Sequence, residues 1–161
     1  MLRTVNGLEK VSSQEIYEKL RVIELIPAPY GPHGWINCEI EDDSLENTGR
    51  LRSVSEAHII LREESYSKRF SIDHFADATV ERIPLSTPSA RRISVSAYSS
   101  FKRPDQREIQ GAFSKRIVER LGAECNMKDY DTALRITLLR KVAIATIDLE
   151  IQPGNLPKNI I

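Results

Sequence analysis

Glycine is scarce in this sequence, and the few glycines do not form the loops that usually hold a nucleotide. Only 7 of the 161 residues are glycine, and neither G-x-G-x-x-G nor G-x-x-x-x-G-K-[ST] occurs. Those loops work because closely spaced glycines let backbone N–H groups surround a phosphate at the start of a helix. The sequence therefore predicts no glycine-rich cofactor loop.

Cysteine and histidine are also scarce, and their spacing indicates neither a metal centre nor a nucleophile. Cys38 and Cys125 are far apart and form no Cys-x-x-Cys pair, which favours two reduced thiols over a disulfide. The histidines His33, His58 and His74 lack the mutual spacing of metal ligands. The serine-rich stretch of the second half has no nucleophile elbow and no partner histidine. We therefore expect no catalytic residue, no metal and no cofactor, and we expect that the chain is not an enzyme.

Long apolar runs are missing as well. No run approaches the roughly 18 residues that a membrane-spanning helix needs. The first residues, Met-Leu-Arg-Thr-Val-Asn-Gly, lack the apolar segment of a secretory signal. With 40% hydrophobic and 29% charged residues, the composition is typical of globular proteins. The sequence thus predicts a cytoplasmic protein without a membrane partner.

The chain has no net charge, but its charges are unevenly distributed. Residues 1–75 hold 9 Lys and Arg against 13 Asp and Glu, whereas residues 76–161 hold 14 against 10. The window 82–141 alone carries 13 basic and 6 acidic side chains. Such asymmetry favours an anionic partner for the second half only, and the alternative is an ordinary solvated face.

The first half reads as six short elements. Asn6-Gly7 closes a first strand, and Ser12-x-x-Glu15 has the pattern of a capping box that would begin a helix. The prolines and glycines of 27–34 indicate a stiff loop. The predicted elements are a strand at 2–6, a helix at 13–20, a buried strand at 22–26, a strand at 35–40, a helix at 43–52 and a strand at 57–61. This is the β-α-β-β-α-β order of a ferredoxin-like domain.

The second half is organised around the stretch 91–121. Its first part alternates apolar and polar residues as a half-buried strand does. Its second part places apolar residues at every fourth position, on one helical stripe, and these are Ile109, Phe113, Ile117 and Leu121. A helix at 71–82 precedes this stretch, and Gly122 and a polar loop at 123–132 follow it. Two strands at 134–139 and 142–149 then form a hairpin, with Arg140 and Lys141 between them.

Basic residues flank these elements and are the candidate RNA-binding residues. They are Arg91, Arg92, Lys102, Arg103, Lys115, Arg116, Arg140 and Lys141. Arginine and lysine contact phosphates, and aromatic rings such as those of Tyr98 and Phe101 stack on unpaired bases. In the alternative interpretation Phe101 packs in the core, and the arginines pair with carboxylates within the protein.

Several short motifs in this order resemble a known module. Thr4 to Glu9 read T-V-N-G-L-E, Gly34 to Ile40 read G-W-I-N-C-E-I, and Leu51 to Ser53 read L-R-S. Together they resemble the N-terminal ferredoxin-like domain that precedes THUMP domains in RNA-modifying enzymes. Residues 70–149, with their arginine-led strand, long helix and final strand pair, resemble the THUMP domain itself.

The resemblance implies an α+β protein of two domains. Residues 1–66 would form the ferredoxin-like domain, and residues 67–161 would form a THUMP-like α/β domain. It further implies binding of the tRNA acceptor stem and 3′ CCA end. No S-adenosylmethionine-binding domain follows the THUMP-like half, so we expect a non-catalytic adaptor for a separately encoded RNA-modifying enzyme. The alternatives are a methyltransferase-related protein that is active only with a partner chain, and a protein-interaction module without RNA binding.

Overall fold

The computed structural model describes residues 1–31, 34–66, 70–83 and 92–149. These residues form a mixed fold of helices and strands, so the predicted α+β class is confirmed. The chain divides into two units, and the division falls between Ile59 and Ile60, inside a strand. Leu149 also groups with the first unit. The boundary predicted between residues 66 and 67 falls just after this strand ends at Ser65, and it stays a prediction.

The first unit contains a sheet with helices after its first and third strands. Its elements are β1 (Leu2–Thr4), α1 (Glu9–Lys19), β2 (Val22–Pro27), β3 (Trp35–Ile40), a 3₁₀ helix (Asp42–Arg50) and β4 (Val54–Ser65). The strands lie in the order β2-β3-β1-β4, and β1 pairs antiparallel with both β3 and β4. The predicted order of six elements is thus present, with a 3₁₀ helix in place of the second α-helix.

The capping box predicted at Ser12 is wrong. Helix α1 begins at Glu9, so Ser12 lies inside the helix and is fully buried. Its hydroxyl lies 2.6 Å from the Thr4 hydroxyl, which itself donates to the Ser53 carbonyl at 2.8 Å. The pattern misled because a serine followed three residues later by glutamate can serve tertiary contacts as well as a helix start.

Glu15 joins α1 to the segment that precedes β4. Its carboxylate accepts hydrogen bonds from the backbone N–H groups of Arg52 and Ser53, both at 2.8 Å, and from the Ser53 hydroxyl at 2.5 Å. Lys19 donates to the same carboxylate at 2.6 Å. Burial alone would raise the pKa of Glu15, but the hydrogen bonds from Lys19, Ser53 and Arg52 outweigh it and lower the pKa to about 2.

Glu15→Gln should therefore destabilise the protein in a pH-dependent way. Because the folded pKa lies below the unfolded value, the charge of Glu15 stabilises fully above about pH 4.5 and loses this effect as the pH falls toward 2. We expect a loss of about 2 kcal/mol in the free energy of unfolding at pH 7, shrinking across that window. Denaturant unfolding at several pH values measures it. The exposed Glu18, in Glu18→Gln, is the control, and an equal or pH-independent loss in both variants would contradict the assignment.

Strand β2 is less buried than its apolar sequence predicts. Among the described strands it pairs only with β3, so it lies at an edge of its sheet. Val22 and Leu25 pack against the core of the first unit, whereas Ile23 and Ile26 are 62% and 45% exposed. The core of this unit consists of Leu2, Ile16, Leu20, Ile36, Leu51 and Ala57. The prediction of a buried strand was wrong. A run of apolar residues does not show whether a helix or strand packs on each of its side chains.

Gly34 allows β1 to approach the start of β3. Its carbonyl accepts from the Thr4 N–H at 2.8 Å, and its own N–H donates to the Glu9 carboxylate at 3.1 Å. A Cβ atom at this position would lie 2.3 Å from the Thr4 carbonyl oxygen, and the φ angle of Gly34 is +71°. Both the space and the backbone conformation therefore require glycine.

Three glycine-to-alanine variants should separate these two requirements. Gly34→Ala should lower the free energy of unfolding by more than about 2 kcal/mol, because strain and a backbone clash combine. Gly7 has a φ of +90° with open space around it, so Gly7→Ala should cost only about 1–2 kcal/mol. Gly111 lies in a helix with open space, and Gly111→Ala should stabilise by about 0.5–1 kcal/mol. Thermal and denaturant unfolding test this ranking. Equal losses of unfolding free energy in Gly34→Ala and Gly7→Ala would contradict it.

The second unit contains a sheet of mixed direction. Its elements after β4 are α2 (Ile72–Val80), β5 (Arg92–Ser99), α3 (Gln106–Arg116) with a π-helical turn (Ile117–Leu121), β6 (Glu124–Cys125), β7 (Thr132–Leu138) and β8 (Val142–Leu149). The order is β4-β8-β7-β5-β6. Strands β5 and β7 are parallel, and β7 and β8 form the predicted antiparallel hairpin. The two residues of β6 were predicted as loop, because two residues are too few to show a period.

The apolar stripe of α3 is buried as predicted. Ile109, Phe113 and Ile117 are fully buried, whereas Leu121, the fourth residue of the stripe, is half-buried. Gly122, with a φ of +61°, ends the helical stretch. The helix begins with a capping box in which Asp105 accepts from the Glu108 N–H and Glu108 accepts from the Asp105 N–H, both at 2.8 Å. The box begins with aspartate, whereas the usual sequence pattern of a capping box begins with serine or threonine.

Candidate nucleic-acid interface

The parallel pairing of β5 and β7 brings two basic loops together. Their carboxyl ends lie side by side, with Ser99 opposite Leu138, and the Ser100 N–H donates to the Leu138 carbonyl at 2.9 Å. The loop after β5 carries Lys102 and Arg103, and the turn after β7 carries two more cations. We call the four residues Lys102, Arg103, Arg140 and Lys141 the basic sheet end.

The side chains of the basic sheet end are available to a ligand. All four residues are exposed. Among the residues that the structure describes, none of the four forms an ion pair with a carboxylate. An exposed cation without a protein partner keeps its full charge for a mobile anion, so this end can bind phosphates.

Three aromatic rings pack together beside the loop after β5. Tyr66, directly after β4, has its ring centroid 4.2 Å from that of Phe70 and 5.1 Å from that of Phe101. Phe101 is half-buried in this contact, which agrees with core packing rather than base stacking. Tyr98 instead is 54% exposed near the carboxyl end of β5 and is free to stack. Burial raises the pKa of the Tyr66 phenol.

Arg92 lies at the opposite end of β5 from the basic sheet end. Its guanidinium pairs with Asp129 and, at 3.4 Å, with Asp131, which also accepts from the Arg92 N–H at 3.0 Å. These bonds fix the loop before β7 to the start of β5. The neighbouring candidate, Arg91, lies outside the described residues.

Lys115 and Arg116 lie in the last turn of α3, away from the basic sheet end, because the helix returns the chain to the start of β7. The Arg116 side chain is 15% exposed and pairs with Asp73 at 2.8 Å and Asp77 at 3.0 Å, both on α2. The Lys115 side chain is 68% exposed, and its nearest carboxylate, Glu119, is 4.0 Å away. The eight predicted residues therefore do not lie on one common surface. Four of them, Lys102, Arg103, Arg140 and Lys141, lie together at the basic sheet end.

Arg116→Ala should destabilise the protein more than Lys115→Ala. The first variant removes hydrogen-bonded ion pairs between α2 and α3, at a cost of roughly 1–3 kcal/mol in the free energy of unfolding. The second removes an exposed charge and should change the free energy by less than about 0.5 kcal/mol. Urea unfolding of both variants measures the difference. Equal stabilities would show that the α2–α3 ion pairs do not stabilise this unit.

Two other titratable groups, His58 and Arg21, have structural partners. His58 is buried beside Trp35 and lies 3.3 Å from Glu56, as expected of a core histidine. Arg21 pairs with Glu41 at 3.2 Å and with Asp43 at 3.0 Å, at the start of the 3₁₀ helix. In the described ranges, no group of three or more His, Cys, Asp and Glu side chains is placed to hold a metal ion.

Both cysteines are free thiols and are half-buried. Burial raises the pKa of the Cys38 thiol, so the neutral form prevails at physiological pH.

Across the described part of the chain, no helix has the length and apolar character needed to cross a membrane.

No protein-family model and no curated protein sequence matches this chain. Its fold, however, is similar to that of several solved structures. TrmN from Thermus thermophilus is 14% identical with a TM-score of 0.75, over 92% of this chain and 44% of TrmN. PH1313 from Pyrococcus horikoshii Ot3 is 17% identical with a TM-score of 0.66, over 91% of this chain and 52% of PH1313.

A third similar structure is a 4-thiouridine synthetase in complex with RNA and ATP. It is 12% identical with a TM-score of 0.52, over 93% of this chain and 43% of the synthetase. The chain thus spans about half the length of these proteins or less. At these identities the likeness concerns the fold alone, and it supports the THUMP-like fold that the sequence motifs imply.

Proposed function

We propose that this chain is a non-catalytic RNA-binding protein that holds the acceptor stem and 3′ end of tRNA for a separately encoded RNA-modifying enzyme. The observation that carries the proposal is the basic sheet end. Four exposed cations without carboxylate partners among the described residues lie on two adjacent loops. A polynucleotide backbone presents phosphates at a regular spacing to such a cluster.

Tyr98 adds a feature that favours a single-stranded segment. Its exposed ring lies one residue before the end of β5, at the same end of the sheet as the basic loops. Stacking of an unpaired base on an aromatic ring is independent of sequence and is worth about 1–3 kcal/mol per base. The cations can contact the phosphates of a duplex, and the exposed ring can stack on a base of the single strand in which that duplex ends.

The similarity of the fold to solved structures supports RNA as the partner. One of the similar structures is a complex with RNA, and the likeness covers most of the present chain. The adaptor role rests on the sequence, in which we find no cofactor-binding or catalytic motif. A cytoplasmic location, where tRNA is modified, belongs to the same proposal.

Replacing all four residues of the basic sheet end with alanine should weaken tRNA binding and its salt dependence. With about four phosphate contacts, wild-type affinity should fall by roughly two decades between about 50 and 200 mM salt. The quadruple variant should lose about three units of the slope of log Kd against log salt. Fluorescence anisotropy with labelled tRNA, with and without the 3′ CCA, measures both quantities.

A charge-matched variant controls for net charge. Its four alanines replace exposed cations elsewhere, namely Lys10, Arg50, Arg52 and Lys128. If both quadruple variants lose the same slope, binding depends on net charge and the proposed site is wrong. If wild-type protein does not bind tRNA, the protein-interaction alternative is favoured. Turnover of tRNA with S-adenosylmethionine by the chain itself would contradict the non-catalytic role.

A further inference from the structure

Tyr66 contacts both loops of the basic sheet end, one through its backbone and the other through its ring. Its backbone N–H donates to the Lys141 carbonyl at 2.8 Å, which ties the end of β4 to the β7–β8 turn. Its ring contacts Phe101, which directly precedes Lys102 in the loop after β5. The ring also packs on Phe70, which in turn lies against the buried Phe75 of α2 at 5.8 Å. One residue therefore connects both basic loops to the core of the second unit.

We propose that Tyr66 is the positioning residue of this site, whose ring holds the Lys102–Arg103 loop at a fixed distance from the Arg140–Lys141 turn. The inference rests on the proposed RNA-binding function and assigns to Tyr66 no contact with RNA. Phosphates lie at set intervals along a strand, so cations on two mobile loops lose affinity when their spacing fluctuates. The Tyr66 ring packs on the loop after β5 while the Tyr66 backbone N–H is bonded to the β7–β8 turn, and this link removes that fluctuation before the RNA arrives.

The ring and not the hydroxyl performs this role. The Tyr66 hydroxyl oxygen is buried, and no protein group is within hydrogen-bonding distance of it in the described structure. A buried hydroxyl without a partner does not hold the loops. Phenylalanine keeps the ring contacts with Phe70 and Phe101, whereas leucine and alanine do not.

The experiment compares four variants in the full chain. They are Tyr66→Phe, Tyr66→Leu, Tyr66→Ala and, as a control for general destabilisation, Ile117→Ala in the π-helical turn at the far end of the α3 segment. Ile117 is fully buried, and its element does not contribute to the basic sheet end. Each variant is tested for thermal stability, for tRNA affinity against salt, and for amide hydrogen exchange of the segments 100–105 and 139–141.

The Leu and Ala variants should bind tRNA roughly ten- to a hundredfold more weakly, with about two units less salt slope, because one loop no longer contributes its contacts. The segment 100–105 should also exchange faster than in wild type, whereas the segment 139–141, which is bonded to the backbone N–H of residue 66, should not. Tyr66→Phe should restore wild-type affinity, slope and protection, with an unchanged or higher Tm. Ile117→Ala should lower the Tm and leave the salt slope unchanged.

Two results would overturn the proposal. If the salt slope of Tyr66→Leu equals that of wild type or falls no more than that of Ile117→Ala, Tyr66 acts only through stability. If Tyr66→Phe binds as weakly as Tyr66→Ala, the hydroxyl and not the ring is what the site requires. Hydrogen exchange distinguishes failure of the positioning role from failure of the proposed function. If wild-type protein does not bind tRNA, the proposed function is refuted. Faster exchange of the segment 100–105 in Tyr66→Leu, but not in Tyr66→Phe, would still show that the Tyr66 ring positions this loop.

Discussion

The parallel pairing of β5 with β7 is the constraint on which the candidate interface depends. Two parallel strands end at the same edge, so the loops that follow them must be neighbours. Here those loops carry two cations each. The connection between the strands must return along the sheet, and α3 provides it. The same constraint therefore carries Lys115 and Arg116 away from the site while it gathers Lys102, Arg103, Arg140 and Lys141.

Two arginines of the second unit are held in ion pairs with aspartates of the same unit. Arg92 lies between Asp129 and Asp131, and Arg116 lies between two aspartates of α2. Their charges are neutralised within the protein and tie one element to another. No described carboxylate forms an ion pair with the four cations of the basic sheet end. Arginine thus has two roles in the second unit. Arginines close to a carboxylate join elements of the fold, and arginines without a nearby carboxylate are available to a ligand.

In the first unit, the short motifs that carry the family resemblance form one hydrogen-bonded assembly. The Thr4 hydroxyl donates to the Ser53 carbonyl, and the Glu9 carboxylate accepts from the Gly34 N–H. Glu15, outside the motifs, binds Arg52 and Ser53. These residues are far apart in sequence but join β1, α1 and the ends of two further strands. The motifs therefore specify a fold, and this agrees with a likeness to solved structures that is strong in shape and weak in identity.

The sequence by itself determined most elements, because periodicity reports on the element to which a residue belongs. The period of two in β5, the stripe of α3 and the hairpin of β7 and β8 all follow from neighbouring residues. The sequence also indicated that the second half carries the cations. Only the tertiary structure decided that β2 lies at an edge and that Ser12 lies inside a helix. It also decided which cations are paired, since Arg92 and Arg116 meet partners that are remote along the chain. Ion pairing depends on distances across the fold, and no local pattern encodes them.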